Sequence, residues 1–200
     1  MNSVKSEERR IANVADLEVR DIGGQPVIAG HAAVFNKLSA DLGGFREQIA
    51  PGAFSRAIRD KHDVRALFNH NPDRVLGRSS SRTLRMNEDA VGLAVEINPP
   101  KSEAALLESM RRGDISQMSF GFSVRDDAWE STPSGDIRTV RDVDLFDVSV
   151  VTYPAYPQTD AAVRSLERWK LVRAAPEVQK LNEMRLALEQ EFQAARRLGW

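Results

Sequence analysis

The run Met118-Ser119-Phe120-Gly121-Phe122-Ser123-Val124 alternates large apolar residues with small or hydroxylated ones without a break. A helix would scatter that pattern around its circumference. A strand sorts it, with Met118, Phe120, Phe122 and Val124 on one face and Gln117, Ser119, Gly121 and Ser123 on the other. The segment therefore belongs to a sheet with one face packed on a core. Ser119 stands on a rigid element but outside the apolar layer. Gly121, one step along the same face, leaves open space beside the hydroxyl where a substrate backbone can come close. Such a position suits a nucleophile; it is also where an ordinary strand serine sits when no base is near.

The rest of the chain reads mainly as strand. Apolar runs at Leu17 to Val19 and Val27 to Phe35 flank the turn signal Asp21-Ile22-Gly23-Gly24-Gln25-Pro26 and predict a hairpin. From Pro51 to Ile58, the spacing of Phe54, Ala57 and Ile58 predicts a short amphipathic helix. Val64 to Asn69 returns to strand character and ends at the breaker Asn71-Pro72-Asp73. A second hairpin is predicted over Arg82 to Ile97, turning at Asn87-Glu88-Asp89. Ser102 is then placed to cap a helix that carries Leu106, Leu107 and Met110 and stops at Gly113. After the Ser119 strand, a polar excursion with Pro133, Ser134 and Gly135 leads to Val140 to Tyr153, the most strand-like stretch. Strands with two short helices between them predict a mixed, mainly β fold, a barrel or a compact sheet.

Composition shifts after about Asp160 toward Ala, Leu, Glu, Gln and Arg. There Leu181, Met184, Leu188, Phe192 and Ala195 form an apolar stripe on a charged helix, with Pro176 marking its expected start. The stripe either packs on its own domain or makes a partner-binding or removable tail. The expected organisation is a loose, charged N-terminus over residues 1–16, a folded domain over 17–163 and a helical tail over 164–200.

Composition also excludes functions. A net charge of -1 gives no electrostatic reason to expect nucleic acid or a membrane surface as partner. The absence of cysteine removes disulfides, thiolate catalysis and cysteine zinc sites. There is neither a metal-ligand cluster nor a glycine-rich phosphate loop, so no cofactor or metal is expected. No apolar run reaches the length of a membrane span and Met1 to Arg10 lacks a signal-peptide core, so a soluble, cytoplasmic chain is expected.

A serine nucleophile needs a base, because an unassisted hydroxyl stays protonated at neutral pH. Of the three histidines, His70 is best placed, at the end of the strand that stops at Asn69. His31, inside Gly30-His31-Ala32-Ala33-Val34-Phe35, reads as a packed strand residue, and His62, between Lys61 and Asp63, as a solvated one. A third group must orient the base. Alternation through Asp142-Val143-Asp144-Leu145-Phe146-Asp147-Val148-Ser149 puts Asp144 with Phe146 and Val148, and Asp147 with Ser149 and Val151. A carboxylate among such neighbours is expensive to bury unless paired, and an imidazole would pair it. An edge position or an arginine partner would satisfy Asp147 equally well, and Ser149 is a less favoured orienting neighbour.

Five stretches resemble one known family in consistent order: Gly30 to Asn36, Ile49 to Phe54, Phe68-Asn69-His70-Asn71-Pro72 with Leu76-Gly77-Arg78, Gly113 to Phe122, and Phe146 to Ala155. The family is the prohead maturation proteases of tailed bacteriophages, related in fold to herpesvirus assembly proteases. The resemblance covers roughly Leu17 to Val163. It departs at His31, where an aromatic such as tyrosine is expected.

The resemblance implies a small β-barrel surrounded by short helices, followed by the helical tail. It implies His70 as base, Ser119 as nucleophile and Asp147 as the acidic third member, although the herpesvirus enzymes use a second histidine there. Oxyanion donors would come from Leu76-Gly77-Arg78 or Ser123-Val124-Arg125. The implied activity is a serine endopeptidase inside the assembling prohead in the host cytoplasm. Its implied partners are the major capsid protein with its scaffolding segment, and the enzyme itself through self-cleavage or self-association. The rival reading is a non-enzymatic capsid-assembly or scaffolding protein that keeps the protease fold.

Overall fold

The computed structural model describes residues 7–12, 16–153, 164–176 and 180. In chain order the elements are β1 (Glu8–Ala12), β2 (Glu18–Ile22), β3 (Gln25–Val34), β4 (Phe45–Ile49), α1 (Ser55–Arg59), β5 (Arg65–Phe68), β6 (Asn71–Arg78), β7 (Leu84–Glu88), β8 (Gly92–Ile97), α2 (Ala104–Arg111), β9 (Gln117–Thr132) and β10 (Gly135–Val151).

Turn chemistry sets the hairpins. Ile22 pairs with Gln25, so the loop between β2 and β3 is Gly23-Gly24 alone, with φ of 62° and 75°. Two positive φ values in succession define the tight hairpin turn whose twist matches that of the strands. Between β7 and β8 the turn falls later than expected. Asn87 and Glu88 still pair with Ala94 and Leu93, and the Asp89 side chain makes the turn by accepting from the amides of Val91 and Gly92 at 2.8 and 3.0 Å. Ser102 does not cap α2: it lies in a 3-10 turn, Lys101–Glu103, and α2 begins at Ala104 without a side-chain cap. Burial of Leu106, Leu107 and Met110 holds that helix instead, and Gly113 follows its end with φ 80°.

Six strands make one sheet in the order β1-β9-β10-β5-β6, with β4 also pairing β10. The far edge of β10 carries β4 and then β5, both parallel to it, while β9 runs antiparallel along its other edge. The remaining four make a sheet in the order β2-β3-β8-β7. One core joins the two sheets, with Ile28, Leu93, Val95 and Ile97 from the smaller and Phe120, Phe122, Val148 and Val150 from the larger. At its centre Phe54 meets Phe120 edge-on at 5.5 Å between ring centroids, and Phe120 stacks on Phe122 at 4.8 Å. Each such ring contributes about 2 kcal/mol of apolar burial. The fold is mainly β with short helices, as expected. Strand pairing among the described residues leaves both sheets open, so it does not itself show the small β-barrel expected from the resemblance.

Strand β1 lies inside the stretch expected to be loose. Its Glu8 and Arg10 are buried, which explains the order. The Arg10 guanidinium donates to both Glu47 oxygens at 2.8 and 3.1 Å and to Glu8 at 2.5 Å. Arg138 donates to Glu8 and Glu47, each at 3.1 Å, and to Asp127 at 2.6 Å. Burial opposes the charge on both arginines, but the carboxylates of Glu47 and Glu8 outweigh it and raise both above the ordinary arginine value.

The chain divides into two compact units, Met1–Ala162 and Val163–Trp200. In the second, residues 164–176 are helical, so helix already precedes Pro176, the expected start. The stripe from Leu181 to Ala195 lies outside the described residues. No described helix is long and apolar enough to cross a membrane.

Candidate active site

His70 is not at a strand end before a breaker but in a hairpin turn. Phe68 pairs with Asn71, so the loop between β5 and β6 is Asn69-His70, each with φ 54°. Asparagine visits this left-handed region more readily than most residues; a histidine there costs on the order of 1 kcal/mol. The turn is fastened to β10. The Asn69 amide donates to Val150 O at 2.9 Å, and Asn69 Oδ1 accepts from the Thr152 amide at 2.9 Å and the Thr152 hydroxyl at 3.2 Å. The segment Asn71-Pro72-Asp73 continues as β6, and its proline is tolerated because β6 ends the sheet.

Asp147 owes its direction to a bulge. Leu145 pairs with Phe122 and Asp147 with Gly121, leaving Phe146 as an extra residue on β10. Val143 and Leu145 point into the core, and strict alternation would send Asp147 after them. The extra residue reverses the phase. Val148 and Val150 take the core face, Asp147 and Ser149 the other, and Phe146 is partly exposed. The expected grouping of Asp144, Phe146 and Val148 on one face is broken for this reason, whereas the grouping of Asp147 with Ser149 holds.

Ser119 pairs directly with Ser149, and Gly121 with Asp147. All four lie on the polar side of the β9–β10 ribbon, beneath the His70 turn. His70 Nε2 is 2.7 Å from Ser119 Oγ and His70 Nδ1 is 2.7 Å from Asp147 Oδ1. The Ser149 hydroxyl donates to Asp147 Oδ1 at 2.6 Å and stands 3.2 Å from His70 Nδ1. Ser119 and Ser149 are 0% exposed and Asp147 is 6% exposed, so the serine is more enclosed than expected from its place outside the apolar layer. The space at Gly121 is not open to a substrate either, because a Cβ there would collide with Asp147 Oδ2. The glycine makes room for the carboxylate.

The hydrogen-bond partners assign the histidine tautomer. A carboxylate oxygen only accepts, so Nδ1 carries the proton and Nε2 is left to accept from Ser119 O–H. The arrangement can therefore draw a proton from a serine hydroxyl while holding the resulting imidazolium beside a carboxylate.

The structure brings together all three residues singled out in the sequence, His70, Ser119 and Asp147. The other histidines lie elsewhere. His31 is held in β3 between Asp16 and Asp89, with its Nε2 2.9 Å from Asp89 Oδ2. His62 is half-buried with Nε2 3.3 Å from an Arg56 nitrogen. Of the expected oxyanion segments, Leu76–Arg78 is committed to packing: the Arg78 amide donates to Thr83 Oγ1 at 2.9 Å, and a Cβ at Gly77 would lie 2.7 Å from the Thr83 carbonyl oxygen. In the other segment the buried Ser123 hydroxyl has no hydrogen-bond partner among the described residues. A cavity of about 160 Å³ beside Phe120, Leu42 and Lys37 is lined by none of the three site residues. No group of three or more histidine, aspartate or glutamate side chains suited to a metal occurs among the described residues. Sequence reasoning missed Asn69, the bulge at Phe146 and the role of Gly121; of these only Asn69 left a signal, as an asparagine between two strand-like segments.

A serine, an imidazole and a carboxylate in hydrogen-bonded series on a mainly β scaffold are the arrangement that serine hydrolases use. The sequence profile of the caudovirus prohead serine protease family matches residues 15–171, and the chain belongs to that family. The match spans both the His70 hairpin and the β9–β10 ribbon, and it assigns the chain to the serine proteases of prohead assembly, which act in the assembling prohead inside the host cell. No curated protein and no solved structure matches the chain significantly.

Proposed function

We propose that the chain is a serine endopeptidase of prohead maturation in which Ser119 is the nucleophile, His70 the base and Asp147 the residue that orients it. The observation that supports this reading is the single imidazole bridging the other two groups at 2.7 Å on each side. Ser119 Oγ attacks the carbonyl carbon of a peptide bond; the O–C bond forms, the carbonyl electron pair moves onto oxygen, and His70 Nε2 takes the hydroxyl proton. The tetrahedral species then expels the amine as the C–N bond breaks, and His70 returns the proton to the leaving nitrogen. Water repeats the sequence on the acyl-enzyme and restores Ser119. Throughout, Asp147 holds Nδ1–H and balances the charge on the imidazolium.

The proposed substrates are the scaffolding segment of the major capsid protein and the enzyme itself. The protease domain is proposed to span residues 17–163 together with β1, and residues 164–200 to tether the enzyme to scaffold or capsid and be removed by self-cleavage. The test is intact mass against time for the full chain and for Ser119→Ala, alone and co-expressed with the capsid protein. Defined fragments that appear with the wild type only are the expected result. Identical masses in both backgrounds, with uncut capsid protein, would reject the endopeptidase reading. Normal packaging of a chain truncated after Val163 would reject the tail's role.

A further inference from the structure

Ser149 occupies a position where a strand has no packing reason to place a hydroxyl. Its neighbours Val148, Val150 and Val151 are all buried and apolar, and Ser149 itself is 0% exposed. A buried hydroxyl is costly unless hydrogen-bonded, and this one spends its proton on Asp147 Oδ1 at 2.6 Å. Its oxygen stands 3.2 Å from His70 Nδ1, and its backbone pairs directly with that of Ser119.

We infer that Ser149 is a positioning residue for the proposed reaction, one that fixes the rotation of the Asp147 carboxylate and thereby the direction of the His70 ring. The inference rests on the reading of Ser119, His70 and Asp147 given above. One hydrogen bond to His70 leaves an aspartate free to turn about its last side-chain bond. A second donor on the same oxygen removes that freedom. Oδ1 is held by His70 Nδ1–H and Ser149 O–H together, while Oδ2 is lodged against Gly121. The carboxylate plane is set before any substrate arrives, so no reorientation is needed as charge develops on the imidazole. The Ser149 oxygen also accepts weakly from Nδ1–H, which keeps the proton on that nitrogen and Nε2 free for Ser119.

The test uses the full chain and a fluorophosphonate probe, which reports serine activation without needing the natural substrate. Ser149→Ala is expected to label Ser119 roughly 10- to 100-fold more slowly at saturating probe, the loss that follows from one hydrogen bond to a charged group. Half-saturation should change by less than about twofold, because the probe does not touch Ser149. Ser149→Thr, which keeps the hydroxyl, should recover most of the rate. Labelling of Ser149→Ala at the wild-type rate, or equal loss in the Ala and Thr variants, would overturn the inference while Ser119→Ala still labels nothing. Labelling of Ser119→Ala would instead reject the site reading, and the inference with it. Independently of turnover, proton NMR of the full-length Ser119→Ala chain reads the His70 Nδ1–H signal, assigned by its loss in His70→Gln. Adding Ser149→Ala should broaden that signal through faster solvent exchange, and an unchanged line would overturn the inference even if the wild type takes no label.

Discussion

Gly121 on β9 pairs with Asp147 on β10, and the volume that a side chain would occupy at Gly121 is filled by the Asp147 carboxylate. Gly121→Ala must therefore push the carboxylate off His70 or force the strands apart. Overpacking of this kind costs about 1–3 kcal/mol of stability. Misplacing an orienting group by about 1 Å costs on the order of 100-fold in rate. The variant is expected to remain folded by circular dichroism and to label Ser119 at least about 100-fold more slowly. Wild-type labelling would show that the carboxylate position is not critical.

The turn that carries His70 gives a second expectation. Asn69 sits at φ 54°, which glycine adopts freely and a β-branched residue resists. Asn69→Gly should keep the hairpin while losing the two bonds to Thr152, a cost of about 1 kcal/mol. Asn69→Val should cost at least about 2 kcal/mol and displace His70. Thermal melts, read together with the labelling rate, separate the two; equal behaviour of the Gly and Val variants would mean that the turn tolerates another backbone geometry.

The cluster that binds β1 is a third target. Glu47 is 2% exposed and, like Glu8, accepts from both Arg10 and Arg138, so Glu47→Ala leaves two buried guanidiniums short of a partner. Breaking a buried ion pair from one side costs about 3–5 kcal/mol. The urea midpoint should fall accordingly with an unchanged slope. A shift no larger than that of an exposed substitution would show that water replaces the lost carboxylate.

Side-chain direction is encoded unevenly along this chain. The polar face of β9 was legible because alternation there is unbroken, and that placed Ser119 correctly. The hairpin at Gly23-Gly24 was legible because two adjacent glycines name their own turn. The phase of β10 was not, because a bulge leaves no residue signature and the extra Phe146 looks like any other strand residue. Strands β4 and β6 went unread for a related reason. The first has two charged residues among its five, and its buried Glu47 is stabilised only by arginines distant in sequence; the second carries Pro72 at its second position, beside a turn. The cluster of His70, Ser119 and Asp147 was assembled from three separate segments by chemistry and by resemblance. The fourth member, the Ser149 hydroxyl, needed the register of the paired strands.

His31 supplies a pH expectation. Partial burial alone would depress the imidazole, but hydrogen bonds and charge from Asp16 and Asp89 raise it above its ordinary 6.5. Amide donors from Gly92, the His31 ring and the Val91 amide lower Asp89 from 3.8 to about 2. A raised histidine stabilises the fold fully below its unfolded value of 6.5 and loses that contribution as pH rises through the folded value. A lowered aspartate contributes above 3.8 and loses its contribution as pH falls toward about 2. The clamp between the start of β2 and the β7–β8 turn is therefore complete between about pH 4 and pH 6.5 and weakens on either side. His31→Gln keeps a hydrogen-bonding side chain but cannot carry the charge. Its melting temperature should lie a few degrees below wild type at about pH 5.5, and the gap should close at about pH 9. A gap of the same size at both values would mean that His31 acts through packing alone, and a gap that widens toward alkaline pH would show that the charged clamp does not stabilise the fold.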